Sequence, residues 1–203
     1  NNYWHIKYDS TCGSLESGHN FGWEVASYIG SGLSDLTSMS DALHFLGECG
    51  VKVNRNCGLH VHVQVADFNP SLMGLLLARW LKIEPLLFHS CPYYRRKSSH
   101  CRKLRSKVSI KRLESFYRSE DPEMFEKLWA VFSPTDFSTH NNYQKKVSLN
   151  TIGFAIGLQK PHHSRITVEL RLPEASLNRA DIKNWVILIL NFDIQNDIPL
   201  LSE

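Results

Sequence analysis

The sequence predicts an α+β fold in which helices cover one face of an antiparallel β-sheet. Residues 59–65 and 165–172 alternate strictly between apolar and polar side chains. Successive side chains of a strand point to opposite faces, so this alternation is typical of a strand with one buried face. Residues 70–83 and 179–194 carry apolar side chains at helical spacing and predict helices that pack on the sheet.

The first elements of the chain are predicted from the same two patterns. Trp4–Asp9 and Phe21–Ala26 alternate between apolar and polar residues and predict two strands. Glu24 stands alone on the polar side of the second strand, where a solvated position and a functional one are equally compatible with the pattern. Leucines at near-helical spacing then predict a helix over residues 33–46, and Gly50 is a plausible helix stop.

The strand at residues 59–65 carries the strongest signal for a site. His60, His62 and Gln64 share one face, while Leu59 and the three valines form the other. At roughly 3.3 Å of rise per residue, the two imidazoles stand about 7 Å apart. This is too far for an ideal pair on one small ion, but it allows one histidine on a metal and the other on the ligand of that metal.

A helix is predicted to follow, with Asn69 as its cap and Pro70 in its first turn. Pro85 should kink or end it, which would place Glu84 at the surface near the helix end. A basic segment, residues 95–112, comes next. It suits a solvated loop, phosphate capture or a nucleic-acid contact, and the few aromatic residues around it argue against the last.

The remaining elements run from Asp121 to about Ile194. They are a short helix over residues 121–132, a strand over 147–152 that crosses Asn150, a turn at His162-His163, the strand at 165–172 and a final helix capped by Asn178. In the strand at 165–172, Glu169 and Arg171 lie on the polar face.

Composition narrows the class of protein. The chain has 203 residues, 42% hydrophobic and 21% charged, which suits a single domain over residues 1–203. A net charge of +3 is too small to argue for nucleic acid. No apolar run reaches transmembrane length, so we predict no membrane partner.

Five cysteines without a CxxC spacing favour neither a disulfide framework nor a structural zinc site, so we predict a cytoplasmic protein. Nothing in the sequence indicates an oligomeric state.

If the predicted strands pair in one sheet, their polar side chains lie on the same face of that sheet. The residues brought together would be Glu24, His60, His62, Glu169 and Arg171. Carboxylates with an imidazole suit Mg²⁺ or Mn²⁺, and guanidinium groups suit polyphosphate. Because the sequence contains neither a Walker A motif nor GxGxxG, a nucleotide would be held by this sheet face.

The motifs resemble the amidoligase family, which comprises carboxylate–amine ligases related to glutamine synthetase and glutamate–cysteine ligase. The resemblance lies in Phe21–Ser27 and in Cys57–Val63, the GLHVH strand. Three further stretches fit in the same order, namely residues 84–101, 147–150 and 167–171, so that most of the chain from Trp4 to Phe192 is covered. It implies a curved antiparallel sheet like the catalytic domains of those ligases. It also implies ATP-dependent formation of an amide through an acyl phosphate, from small-molecule or peptide carboxylates and amines.

The resemblance also implies residue roles. His60 and Glu169 would be ligands of the metal that bridges the ATP phosphates, and Glu24 a ligand of a metal nearer the carboxylate substrate. His62 would touch phosphate or substrate, and Arg171 would stabilise the transferring phosphoryl group.

Three residues around these are implied in supporting roles. Arg95 and Arg96 would bind the phosphates or the acyl phosphate, and Asn150 would orient the sheet face.

One departure from the family pattern stands out. Family members begin with a strand carrying a Glu-x-Glu pair of metal ligands, and none precedes Trp4. We expect the sequence to be a fragment lacking its N-terminal strand or strands; the alternatives are ligands from elsewhere or lost activity. The missing strand leaves open a catalytically impaired relative that binds nucleotide or peptide. The basic segment, residues 95–112, leaves open a nucleic-acid-binding domain.

Overall fold

A computed structural model describes residues 3–13, 22–65, 68, 70–104, 146–154 and 166–192. The chain divides into two compact units, Asn1–Leu59 with Pro173–Leu188 and His60–Leu172 with Ile189–Glu203. That all 203 residues form one domain stays a prediction. The predicted helix at residues 121–132, the turn at His162-His163 and the basic residues 105–112 lie outside the described residues.

The first unit contains both predicted N-terminal strands. β1, His5–Asp9, pairs antiparallel with β2, Gly22–Ala26, with Lys7 opposite Glu24. A short 3₁₀ turn follows β1, and α1 spans Gly32–Glu48. The predicted stop is confirmed, because Gly50 adopts a φ of +89°, a conformation that residues with a Cβ rarely adopt.

The last helix, α4, spans Arg179–Leu190. Its predicted cap is confirmed, because the side-chain oxygen of Asn178 accepts hydrogen bonds from the backbone N–H groups of Ala180 at 2.8 Å and Asp181 at 3.2 Å. Ile182 is buried in this helix, whereas Leu190 at its last position is 51% exposed.

The second unit contains a three-stranded antiparallel sheet. Its strands are β3 (Val61–Gln64), β4 (Leu149–Asn150) and β5 (Thr167–Leu170), in the order β3-β5-β4. The alternation places Val61, Val168 and Leu170 in the core, where they are buried. The two predicted C-terminal strands are confirmed, but both are shorter than predicted. β4 covers residues 149 and 150 of the predicted 147–152, and β5 covers 167–170 of the predicted 165–172.

The helix α2 spans Pro70–Ser90, and α3 is a single turn at Tyr93–Arg96. Pro85 was predicted to kink or end this helix; α2 continues through it, so the helix does not end there. An internal proline costs roughly 3 kcal/mol. Each fully buried large side chain contributes about 1.5–3 kcal/mol, and α2 buries Trp80, Leu81 and Phe88, which offsets the proline.

The observed class is therefore α+β with antiparallel strands, as predicted. The described strands form a two-stranded and a three-stranded sheet, and they do not show a single curved sheet. Among the helices within the described ranges, none is long and apolar enough to cross a membrane.

Gly153 lies against β5 and leaves no room for a side chain. A Cβ at this position would stand 2.6 Å from the carbonyl oxygen of Thr167. We expect Gly153→Ala to destabilise the fold by about 1–3 kcal/mol, because backbone must move to relieve the overlap. Gly47→Ala is the control, since there the nearest atom is the flexible Leu177 side chain at 3.3 Å. Urea unfolding of both variants measures the difference, and equal midpoints would contradict the packing described.

Candidate active site

Strand register brings the polar residues of the second unit together. Glu169 of β5 is the register partner of His62 in β3 and of Asn150 in β4. Residues directly opposite in neighbouring strands project from the same face of the sheet. The three side chains therefore share one face, and Glu169 stands between the other two.

The carboxylate of Glu169 is the centre of this cluster, which consists of Glu169, His60, His62, Asn150 and Arg171. Oε1 lies 3.2 Å from Nδ1 of His60 and 3.6 Å from Nε2 of His62. The same oxygen accepts a hydrogen bond from the Arg171 guanidinium, and Oε2 accepts one from the Asn150 amide at 2.8 Å. Glu169 is only 8% exposed, so its charge is held by these partners rather than by bulk water.

The amide of Asn150 is fixed in one orientation. Its side-chain oxygen accepts a hydrogen bond from the backbone N–H of Ile152 at 3.0 Å, and its nitrogen therefore faces Glu169. The orienting role that the resemblance implies for Asn150 stays a prediction.

Arg171 is held from both its backbone and its side chain. The backbone N–H donates to the carbonyl of Ser148 at 2.8 Å, and Nε donates to the carbonyl of His100 at 3.4 Å. The backbone carbonyls of Arg171 and Leu172 in turn accept hydrogen bonds from the buried guanidinium of Arg95.

His60 is kept neutral at physiological pH. Burial is the main cause that lowers its pKa, from 6.5 to about 4, and the positive charge of Arg171 adds to it. The carboxylate of Glu169 acts in the opposite direction but does not restore the ordinary value. A neutral imidazole keeps a lone pair, which a metal ligand requires.

This lowered pKa predicts a pH dependence of stability. Since the folded-state pKa of His60 lies below its ordinary value of 6.5, the unfolded chain binds more protons between these values. The contribution of His60 is fully present above pH 6.5 and is lost as the pH falls toward 4. We expect His60→Gln to reduce the loss of stability between those pH values, as measured by urea midpoints. An unchanged slope would contradict a neutral imidazole at His60 in the folded protein.

One carboxylate oxygen and one imidazole nitrogen of the cluster are spaced as two ligands of one divalent cation would be. Ligands about 2.1–2.2 Å from an octahedral cation lie about 3.0–3.1 Å apart along an edge, close to the 3.2 Å between His60 Nδ1 and Glu169 Oε1. Each carboxylate oxygen has two lone pairs, so the bond from Arg171 leaves room for a second interaction. Within the described ranges, no group of three or more His, Cys, Asp or Glu could hold a metal. Magnesium tolerates this, because it usually takes one or two protein ligands and completes its shell with water and phosphate.

Three further predicted site residues have contacts of their own. Glu24 belongs to the first unit, where its carboxylate forms an ion pair with Lys7 at 3.0 Å, and its role as a metal ligand stays a prediction. Arg96 is exposed, with its guanidinium 6.0 Å from the ring centre of Tyr93. Arg95 is 2% exposed, and the phosphate contact predicted for it stays a prediction.

Sequence reasoning missed one residue behind the cluster. Glu84 is fully buried, so its predicted surface position is wrong. Its Oε1 accepts hydrogen bonds from the backbone N–H of Leu104 at 2.6 Å and from the hydroxyl of Ser148. The signal was present, because Trp80, Glu84 and Phe88 are spaced four apart and share one face of α2.

The cluster combines a carboxylate, which can bind a cation, with a guanidinium, which can bind phosphate. The chain belongs to the family described as "Putative amidoligase enzyme", whose model matches residues 2–192. This confirms the resemblance found in the sequence. Comparison with curated proteins and with solved structures gave no match.

Proposed function

We propose that this protein is an ATP-dependent ligase that joins a carboxylate to an amine through an acyl phosphate. Family membership supports the class of reaction. The observation that carries the proposal is the Glu169 carboxylate, buried and placed 3.2 Å from a neutral His60 imidazole with the Arg171 guanidinium on the same oxygen. The curved sheet of the related ligases and a cytoplasmic location remain parts of this proposal.

The reaction has two steps. A carboxylate oxygen of the first substrate attacks the γ-phosphorus of ATP, and the bond to the bridging oxygen of ADP breaks. The amine nitrogen of the second substrate then attacks the acyl carbon, inorganic phosphate leaves, and the nitrogen loses a proton. Negative charge gathers on the transferring phosphoryl oxygens, so fixed positive groups speed the first step.

The cluster supplies groups suited to that charge. His60 and Glu169 would hold Mg²⁺ or Mn²⁺, which neutralises phosphate charge when bound. Arg171 would stabilise the transferring phosphoryl group, and its two hydrogen bonds to Glu169 and to the His100 carbonyl fix its direction. The His62 side chain is the most exposed of the cluster, at 58%, so it is placed to reach phosphate or substrate.

Two further residues complete the assignment. Asn150 would hold Glu169 in its orientation through the 2.8 Å hydrogen bond. Arg96 would bind the phosphates, because it is the exposed member of the arginine pair in α3.

The test is release of ADP with Mg²⁺, ATP and a panel of amino acids and short peptides offered as carboxylate and amine. We expect ADP and amide in equal amounts, only when both substrates are present, and loss of both products in His60→Ala. Nucleotide binding that depends on Mg²⁺, without ADP release from any pair, would instead identify a non-catalytic binding protein. Full turnover in His60→Ala would contradict the assigned site.

A further inference from the structure

Two adjacent arginines in α3 have opposite environments. Arg96 is exposed, whereas Arg95 is 2% exposed. A guanidinium removed from water loses several kcal/mol of solvation unless hydrogen bonds replace the water. The partners of Arg95 therefore indicate what this residue does.

Arg95 binds the backbone that follows β5. Its Nε donates to the carbonyl of Leu172 at 3.0 Å, and a terminal nitrogen donates to the carbonyl of Arg171. β5 ends at Leu170, so these two carbonyls lie just beyond the strand. One rigid guanidinium donates to both carbonyls from two different nitrogens, which a lysine could not reproduce because its donors surround one nitrogen.

The loop that follows Arg95 contacts the side chain of Arg171. The backbone N–H of Ser98 donates to the Arg95 carbonyl at 3.1 Å, and the N–H of His100 donates to the Ser98 hydroxyl at 3.2 Å. The His100 carbonyl then accepts from Nε of Arg171. Arg171 is thus fixed in backbone and side chain by residues 95–100.

We propose that Arg95 is a positioning residue that sets the direction of Arg171, and through it the Glu169 carboxylate, rather than a ligand of phosphate. The path consists of Arg95 on the Arg171 carbonyl, Arg171 on Glu169, and Glu169 beside the histidines. This inference rests on the proposed function for its catalytic meaning, but the geometry can be tested without turnover.

The test uses Arg95→Lys, with Arg96→Lys as its matched control and Leu77→Ala as a control for lost stability, since Leu77 is a buried residue of α2. The Nε–H signals of Arg95 and Arg171 are followed by ¹⁵N NMR and are assigned in the unmodified protein, by through-bond correlation of each Nε with the side-chain and backbone signals of its own residue. We expect hydrogen exchange at Arg171 Nε to rise at least about tenfold in Arg95→Lys and to stay within about twofold in both controls. Equal exchange in Arg95→Lys and Leu77→Ala would overturn the positioning role.

A second measurement needs no variant at residue 95 and decides the case if Arg95→Lys fails to fold. Magnesium tripolyphosphate is titrated into the unmodified protein while the Arg95 Nε signal is followed. We expect this signal to keep its position and its slow exchange. A shift that saturates with tripolyphosphate would make Arg95 a phosphate ligand and overturn the inference.

These results separate the inference from the proposed function. If no substrate pair gives ADP but Arg171 loses protection only in Arg95→Lys, the positioning role stands and the ligase assignment fails. If ADP release is found but Arg171 is insensitive to Arg95→Lys, the ligase stands and the positioning role fails.

Discussion

Glu169→Gln is expected to lower ADP release at least about 100-fold, the magnitude typical of losing one fixed electrostatic group of a catalytic site. The substitution keeps the size of the side chain but removes the negative charge that faces His60, His62 and Arg171. Without that charge, the cation proposed for this site would lose its negatively charged ligand. The Arg171 guanidinium would also lose a charge-assisted hydrogen bond. Initial rates with saturating ATP and Mg²⁺ measure the effect, alongside thermal unfolding to show that the variant is folded.

Glu48→Gln is the matched control, because Glu48 is also a carboxylate beside a histidine. Its Oε1 lies 3.8 Å from Nε2 of His44, but both side chains are exposed. Exposed pairs of this kind contribute little, so we expect its rate to stay within about twofold of the unmodified protein. If folded Glu169→Gln retained a rate within that range, Glu169 would have no part in the chemistry.

The strands were predictable because their pattern is local. Alternation at residues 59–65 and 165–172 predicts which side chains share a face within each strand, and the structure agrees over Val61–Gln64 and Thr167–Leu170. That Glu169 lies opposite His62 depends on register between segments more than 100 residues apart, as the numbering shows. Alternation carries no information about register, so the family resemblance was needed to connect them.

The local patterns did not show the burial of two charged residues, whose surroundings come from distant parts of the chain. Arg95 stands in a basic run and Glu84 precedes a proline, and both patterns suggested accessible positions. Glu84 is buried because Leu104 and Ser148 supply donors to its carboxylate. Arg95 is buried because the chain after β5 supplies acceptors. Burial of a charge depends on such partners, which no local pattern specifies.

The second large effect is expected for Glu84→Leu, which should lower the free energy of unfolding by about 2–5 kcal/mol. Leucine fills a similar volume, but the buried backbone N–H of Leu104 and hydroxyl of Ser148 lose the carboxylate oxygen that accepts from both. Glu84→Gln retains an acceptor oxygen and is the control for the shape and hydrogen bonding of the side chain. We expect it to lose about half as much or less, as measured by urea unfolding at neutral pH.

A double-mutant cycle with Ser148→Ala tests whether the two residues act as a pair. The double variant has fewer unsatisfied polar groups than the two single variants have together. Its free energy of unfolding should therefore fall by at least about 1 kcal/mol less than the sum of the two single losses. Additivity within about 0.5 kcal/mol would show that the bond between Glu84 and Ser148 contributes nothing. The pair matters beyond stability, because the Ser148 carbonyl accepts from the backbone N–H of Arg171 at 2.8 Å. Glu84 thus supports the Glu169 cluster from the core side through Ser148, while Arg95 holds the carbonyls of residues 171 and 172.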